Sequence, residues 1–423
     1  MTLELLKKDV AAAIDSMRAE LLELSHAIHG EPELALEEYK AAKRLSDAVQ
    51  THGIAAQRDV FGLKTAYAAE FGKDSGPTIA ILSEYDALPG IGHACGHNII
   101  ATAGFGAAMA LSKLGARLPG KIRYLGTPAE ERFGGKEIMA EEGAFDRTDA
   151  AMMIHPSNLN LVTMPCIAIS EVEVTFLGRA AHAAAMPYRG LNALDAVVTA
   201  YQSIAQLRQH IKQTERIHGI ITEGGLAPNI VPERASCRFY VRAVDVHELA
   251  PLKKRVHACF EGAALATGCQ VEIDWGEHDY LDLKTNWPMA AAFEKNAGAL
   301  GREFYPVKEI PSGFAGSTDM GNVSHRVPSI HPMMAVAPSN VIIHNAEFTR
   351  WAASDKGDQA AIDGAKAMAL TALDVMVDKQ LLQTVKNDFA ATADISKAAL
   401  AKMSENTKHA HDHGHAHGGC GCA

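Results

Sequence analysis

Thr78-Ile79-Ala80-Ile81-Leu82-Ser83-Glu84-Tyr85-Asp86-Ala87-Leu88-Pro89-Gly90-Ile91-Gly92-His93-Ala94-Cys95-Gly96-His97-Asn98 holds an apolar run, a polar turn and a loop dense in metal-binding side chains. Thr78–Ser83 has the length and uniform apolar character of a strand covered on both faces. Asn98–Leu114 repeats small and apolar residues at helical spacing and reads as a helix. A strand, a loop and a helix in that order form one unit of an α/β sheet, and such sheets collect ligands beyond the carboxyl ends of their strands.

The pattern continues outward. Lys121–Gly126 and Ala151–Ile154 read as further strands, and Leu5 to Gly53 as two helices parted by Gly30 and Pro32. Near Ile169 the rhythm changes. Glu171-Val172-Glu173-Val174-Thr175-Phe176 alternates as a half-exposed antiparallel strand does. Helical Leu191–Lys212, strands Ile217–Thr222 and Ala235–Arg242, helical Val246–Ala266 and strand Gln270–Trp275 follow. That β-α-β-β-α-β order is the split layout of a ferredoxin-like layer. The expected fold class is therefore α/β, a mostly parallel-sheet domain (1–168 with 286–405) into which a ferredoxin-like α+β domain (169–285) is inserted. Residues 406–423 form a low-complexity tail with too few apolar side chains to pack, expected to be disordered.

Bulk properties narrow the classes. The 423 residues exceed one ordinary core and call for two domains. With 48% hydrophobic and 21% charged residues and a formal charge of −10, the chain reads as globular and ill-suited to nucleic acid or an anionic membrane. Met1-Thr2-Leu3-Glu4 does not open a secretory signal, and no apolar stretch approaches the roughly 20 residues that span a bilayer. Seven scattered cysteines read as reduced thiols of a cytoplasmic protein.

Four groups of donors follow the expected strands: the Glu84–Asn98 loop, Glu130-Glu131 after Gly126, His155 after Ile154, and His344 after Val341–Ile343. Singly, each has an ordinary explanation: a chance Cys-x-His, a solvated carboxylate pair, a structural histidine. A thiol, imidazoles and carboxylates gathered at one sheet edge instead suit zinc, manganese or cobalt. One glutamate of the pair can hold metal while the other takes a proton from a metal-bound water, whose pKa falls toward about 7. Gly104-Phe105-Gly106 lacks the third glycine and the strand context of a dinucleotide loop, and close helix–sheet packing explains it better.

The run Ser83–Asn98 resembles the signature of the metallopeptidase family that contains aminoacylases, carboxypeptidase G and hippurate hydrolases. Within it, the chain is most similar to the branch of p-aminobenzoyl-glutamate hydrolase subunits and β-alanyl-dipeptide hydrolases. The resemblance runs from His29-Gly30-Glu31-Pro32-Glu33-Leu34 to His344-Asn345-Ala346-Glu347-Phe348. It implies two divalent ions, zinc or manganese, bridged by Cys95 and held by His97, Glu131, His155 and His344. Glu130 would be the general base and Asp86 would orient a ligand imidazole. Glu84 stands where other branches place a ligand histidine and receives no role. Gly178-Arg179-Ala180-Ala181-His182-Ala183-Ala184 resembles the lid motif whose histidine polarises the scissile carbonyl, often across a dimer interface. Asn229, in Ala227-Pro228-Asn229-Ile230-Val231-Pro232, would hold substrate. Arg242 would pair with a substrate carboxylate or be a solvated strand residue.

The expected function is metal-dependent hydrolysis of the amide bond in small N-acyl amino acids or dipeptides, by a homodimer. Deacylase or carbamoylase chemistry on related C–N bonds is the neighbouring alternative. A metal-handling protein or a non-catalytic subunit is the alternative of another class, drawn from the tail. There His409, His411, His413, His415, His417, Cys420 and Cys422 could capture metal or serve no purpose.

Overall fold

The computed structural model describes residues 2–163, 165–310 and 315–413, with side chains through Met403 in the last stretch. The chain forms two compact units, Met1–Pro165 with Leu283–Ser396, and Cys166–Asp282 with Lys397–Ala423.

Among the described residues, the first unit is built on a six-stranded sheet ordered Ala56–Val60, Leu63–Gly72, Lys121–Gly126, Thr78–Ser83, Ala150–Met152, Ser329–Ile330. Thr78–Ser83 lies centrally, parallel to both neighbours. Its side chains show why the run is apolar throughout. Ile79 and Ile81 enter one core with the helices Leu3–Ser16, Arg18–Gly30, His97–Ser112 and Asp355–Val377. Ala80 and Leu82 enter a second core on the other face. The His97–Ser112 helix is buried on every side, so it carries no polar stripe.

Three local features differ from the sequence expectation. The first two strands form an antiparallel hairpin joined to Lys121–Gly126; the Ala-rich, Lys64- and Glu70-bearing Leu63–Gly72 has weak strand propensity and hides this. The amino-terminal helical region holds three helices, because the chain breaks at Met17, with no glycine or proline to mark it. Val341–Ile343 is not a strand; the following residue, His344, has φ +66°, and its N–H bonds to the Ala94 carbonyl instead of a strand neighbour.

Gly104 is a packing position, as its sequence context suggests. A Cβ there would lie 2.3 Å from Ser83 Oγ and 2.7 Å from the Leu82 carbonyl oxygen. The helix and central strand approach closely because this position has no side chain.

In the second unit the sheet order is Gln270–Trp275, Ala168–Leu177, Arg234–Ala243, Arg216–Glu223, with all neighbours antiparallel. Val172, Val174, Phe176, Phe239 and Val241 pack in one core with residues of the helices Ala193–Leu207 and Val246–Thr267. Intervening Glu171, Glu173 and Arg238 form ion pairs, the guanidinium reaching Glu171 at 3.1 Å and Glu173 at 2.5 Å. The carboxy-terminal helix Ala393–His413 places Ala399 and Met403 against Val246 and Leu281. Its backbone stays helical through His413, although Asn406, Thr407, Asp412 and the histidines are weak helix formers. No helix among the described residues is long and apolar enough to cross a membrane.

The close packing makes a stability prediction. Gly104→Ala destabilises by about 1–3 kcal/mol through overpacking, although alanine is the better helix former. Gly262→Ala, whose new methyl meets nothing within 4 Å, gains at most about 1 kcal/mol. Chemical denaturation of both variants checks the contrast.

Candidate metal centre

Cys95 and His97 reach one centre because Gly96 between them has φ +79° and caps the His97–Ser112 helix. A Cβ at Gly96 would also lie 2.6 Å from Pro156 Cγ. Glu130 and Glu131 follow the Lys121–Gly126 strand through Thr127-Pro128-Ala129, with Ala129 in the left-handed region at φ +62°. That conformation costs a non-glycine residue about 1–2 kcal/mol. His155 opens the short strand His155–Ser157, which pairs with Met333–Ala335.

The donors converge. Cys95, His97 and His155 offer ligand atoms within 4.8 Å of one another; so do Cys95, Glu131 and His344, and Glu84, His97 and Glu130. Cys95 Sγ stands 3.3 Å from His155 Nε2 and 3.4 Å from His344 Nε2. His344 Nε2 is 3.6 Å from Glu131 Oε2, and His97 Nε2 is 3.8 Å from Glu131 Oε1. Ligands sharing a tetrahedral ion at bond lengths of 2.0–2.3 Å stand roughly 3.3–3.8 Å apart. The spacing therefore suits direct coordination.

Tautomers are set from behind. His97 Nδ1 donates to Asp86 Oδ1 at 3.1 Å, and His155 Nδ1 donates to the Pro156 carbonyl at 2.7 Å. Each ring thus turns Nε2 toward the centre, the atom whose lone pair a metal would take in place of a proton. The other Asp86 oxygen accepts the Glu131 N–H at 2.9 Å, so one carboxylate aligns both the His97 ring and the loop that carries Glu130 and Glu131.

Electrostatics show what is needed here. Glu84, Asp86, Glu130, Asp319 and Cys95 are buried. Lys136, itself fully buried, donates to Glu84 and, at 2.7 Å, to Asp319 Oδ1. Burial, together with Glu84, Glu131 and Asp319, pushes the Glu130 carboxyl well above the ordinary range. Burial, then Glu131, raises the Cys95 thiol. Burial opposes charge on Asp86, but His97, the Glu131 N–H and Lys136 together outweigh it and the carboxyl is lowered. Burial, reinforced by His331 and His97, holds His155 neutral. Among the described side chains, Glu84 Oε2, His97 Nε2 and Glu131 Oε1 are buried with no hydrogen-bond partner. Orphaned acceptors, a neutral imidazole and a surplus of anions fit divalent cations, which supply the missing partners and charge together. Cys95, His97, Glu131, His155 and His344 have the right atoms to hold them.

Residues of the second unit are arranged by themselves. The two motif loops pair: Ala183 N donates to the Asn229 carbonyl at 3.0 Å, and His182 bridges Ile230. His182 Nδ1 accepts from the Ala184 and Ala185 N–H groups at 3.3 and 3.2 Å. Its Nε2 therefore carries the proton of the neutral ring, the form that donates to an oxygen. Arg242 Nε lies 3.3 Å from His218 Nε2, and the guanidinium 5.8 Å from the Tyr240 ring. For His409, His411 and His413 only helical backbone is described, while His415, His417, Cys420 and Cys422 lie outside the described residues.

Sequence reasoning missed Lys136, Asp319 and His331. Lys136 sits in a short buried helix and Asp319 before another, without a periodic pattern to betray them. His331, 5.4 Å ring to ring from His155, is kept neutral, down to about 3, by burial and by Lys136. His331 directly follows the Ser329–Ile330 strand, so the one signal on offer for it was position after a strand that is two residues long.

The model of peptidase family M20/M25/M40 matches residues 80–374. A mouse Xaa-Arg dipeptidase is 43% identical over 92% of this chain and 93% of its own. A p-aminobenzoyl-glutamate hydrolase subunit from Escherichia coli is 29% identical over 90% of this chain and 94% of its own. Among solved structures, a dinuclear metal-binding peptidase of the M20 family from Bacillus subtilis aligns with TM-score 0.62 at 22% identity, covering 86% of this chain and 99% of its own.

Asp86→Asn leaves one amide oxygen to serve two N–H donors. Metal affinity is expected to fall about 10–100-fold, with the folded state retained; competition with a fluorescent chelator measures the loss.

Proposed function

The chain belongs to peptidase family M20/M25/M40 and is a metal-dependent hydrolase of amide bonds, and from that premise we propose that it is a dipeptidase preferring a basic carboxy-terminal residue. The substrate class rests on the likeness to the Xaa-Arg dipeptidase across nearly the whole of both chains. The hydrolytic reading is carried by one observation: Glu130 lies beside, and outside, two donor groups that share Cys95.

We assign Cys95, His97, Glu131, His155 and His344 as the residues that would hold two divalent ions, zinc or manganese. When bound, such ions acidify water and polarise a carbonyl. The chain's own groups do the rest. Glu130, buried and raised in proton affinity by neighbouring carboxylates, takes a proton from the attacking water. It then returns that proton to the departing nitrogen, so the same group is base and acid. His182, with its proton on Nε2, is assigned to the scissile carbonyl oxygen. Asn229 and Arg242 are assigned to substrate, the guanidinium to its terminal carboxylate.

Glu130→Gln should keep the metal content of the parent and lose nearly all turnover. Chelator-stripped protein should regain activity on added zinc or manganese, with Xaa-Arg and Xaa-Lys dipeptides ahead of N-acetyl amino acids and p-aminobenzoyl-glutamate. Substantial activity in the Gln variant would remove Glu130 as base. A preference for N-acyl substrates would move the chain to the deacylases while leaving the centre intact.

We also assign a homodimer formed through the second unit. Arg216–Glu223 is an edge strand with one neighbour, and Ile220 and Ile221 on it are 61% and 45% exposed. An open apolar edge is an aggregation hazard unless another strand covers it, and a twofold pairing with its own copy does so. Sedimentation should show a dimer for the parent chain and a monomer for Ile220→Lys/Ile221→Lys. A parent that sediments as a monomer at micromolar concentration would dispose of the assignment.

A further inference from the structure

The Glu130 loop is anchored from two sides. Asp86 accepts the Glu131 N–H at 2.9 Å. On the other side of Glu130, the Ala129 N–H donates to Glu38 Oε1, also at 2.9 Å. Glu38 is fully buried and stands 91 residues earlier in the chain, just before the helix Tyr39–Thr51. The same oxygen accepts the Leu36 N–H at 3.0 Å. Both residues that donate to it are non-glycine and left-handed, Leu36 at φ +66° and Ala129 at φ +62°.

That coincidence calls for a cause. Ala129 lacks the short polar side chain with which Asn or Asp supports a positive φ from within. Its conformation must be imposed by what its backbone touches. The Ala129 carbonyl accepts the Gly135 N–H at 3.3 Å, a long bond, so the Glu38 contact is the shorter of the two. A buried carboxylate is itself unfavourable: burial and the charge of Asp86 push the Glu38 carboxyl up to about 7. A side chain kept there at that cost does something an apolar residue would not.

We propose that Glu38 is a positioning residue for the reaction, its carboxylate holding Ala129 in the left-handed turn that aims Glu130 at the metal centre. The inference rests on Glu130 being the base. If Glu130→Gln retains turnover, that reading falls; if Glu130→Gln is inactive and Glu38→Ala matches the parent, only the present one does.

The test uses the full chain loaded with zinc or manganese and the best dipeptide substrate. Glu38→Ala should lower kcat about 100-fold, the scale of a 1 Å misplacement, with KM little changed and the metal content retained. Glu38→Gln, which keeps a buried acceptor oxygen, should recover most of that loss. The decisive variant is Glu38→Ala/Ala129→Gly. Glycine takes a positive φ without penalty, so the double variant should regain about tenfold in kcat over Glu38→Ala. Hydrogen exchange of metal-free protein gives a second readout, with protection across 127–133 lost in Glu38→Ala and restored in Glu38→Gln. Parent-like kcat in Glu38→Ala would overturn the proposal. So would loss of metal or folding in step with turnover that Ala129→Gly does not mend, since Glu38 would then be a general structural residue.

Discussion

Asp86 is one buried carboxylate with two tasks, and most of the centre follows from them. One oxygen orients His97 by fixing the proton on Nδ1, and the other receives the Glu131 N–H. The first bond joins Asp86 to the start of the central helix, the second to the loop after the neighbouring strand. Two candidate ligands on separate elements are thereby brought into register by one carboxylate, both of whose oxygens are engaged in doing so. The arrangement is possible because Thr78–Ser83 and Lys121–Gly126 are parallel neighbours ending at the same level, Ser83 opposite Gly126. The sheet sets the spacing of the loops, and Asp86 sets their orientation.

Burying this many acids needs compensation, and the fold provides it in layers. Lys136 pairs with Glu84 and Asp319 in full burial, so two carboxylates are answered by an ammonium. The next residue, Glu137, is bound by Arg326 through both nitrogens at 2.8 and 2.6 Å. What stays without a hydrogen-bond partner lies nearer the centre: the second oxygen of Glu84, Glu131 Oε1 and His97 Nε2. A centre whose outer acids are paired while these inner atoms are not is suited to divalent cations. Removing one partner of such a buried pair typically costs about 3–5 kcal/mol, which makes the layers interdependent.

Much of this is legible in the sequence because it is written locally. Apolar Thr78–Ser83 with Cys95-Gly96-His97 beyond it announces a strand and a ligand loop; alternating Glu171–Phe176 announces an antiparallel sheet; Gln270–Trp275 has the bounds expected of it. Gly104 reads as a packing glycine rather than part of a nucleotide loop, and the closeness of Ser83 and Leu82 is the reason. What could not be read is set by partners distant in the chain. Lys136 looks like any lysine after two glycines until Glu84 and Asp319 surround it. Val341–Ile343 has the apolar look of a strand, yet the chain turns at His344, whose N–H is claimed by Ala94. Met17 ends a helix through its own backbone, which leaves no residue-type mark.

The same division explains where strain is kept. Ala129, Phe133 and His344 all have positive φ, at +62°, +78° and +66°, and all lie in the loops that carry Glu130, Glu131 and His344. Each such residue costs about 1–3 kcal/mol, so three around one centre would not persist by chance. Local propensity favours relaxing them; tertiary contacts hold them, the Ala94 carbonyl at His344 and the Glu38 carboxylate at Ala129. A relaxed loop would point its carboxylate or imidazole elsewhere, and the donors would no longer stand within one ion's reach. The energy invested in folding the two faces of the sheet is thus what keeps the ligand loops out of their preferred conformations. Stability of the core and geometry of the centre are coupled through backbone hydrogen bonds more than through the ligands themselves.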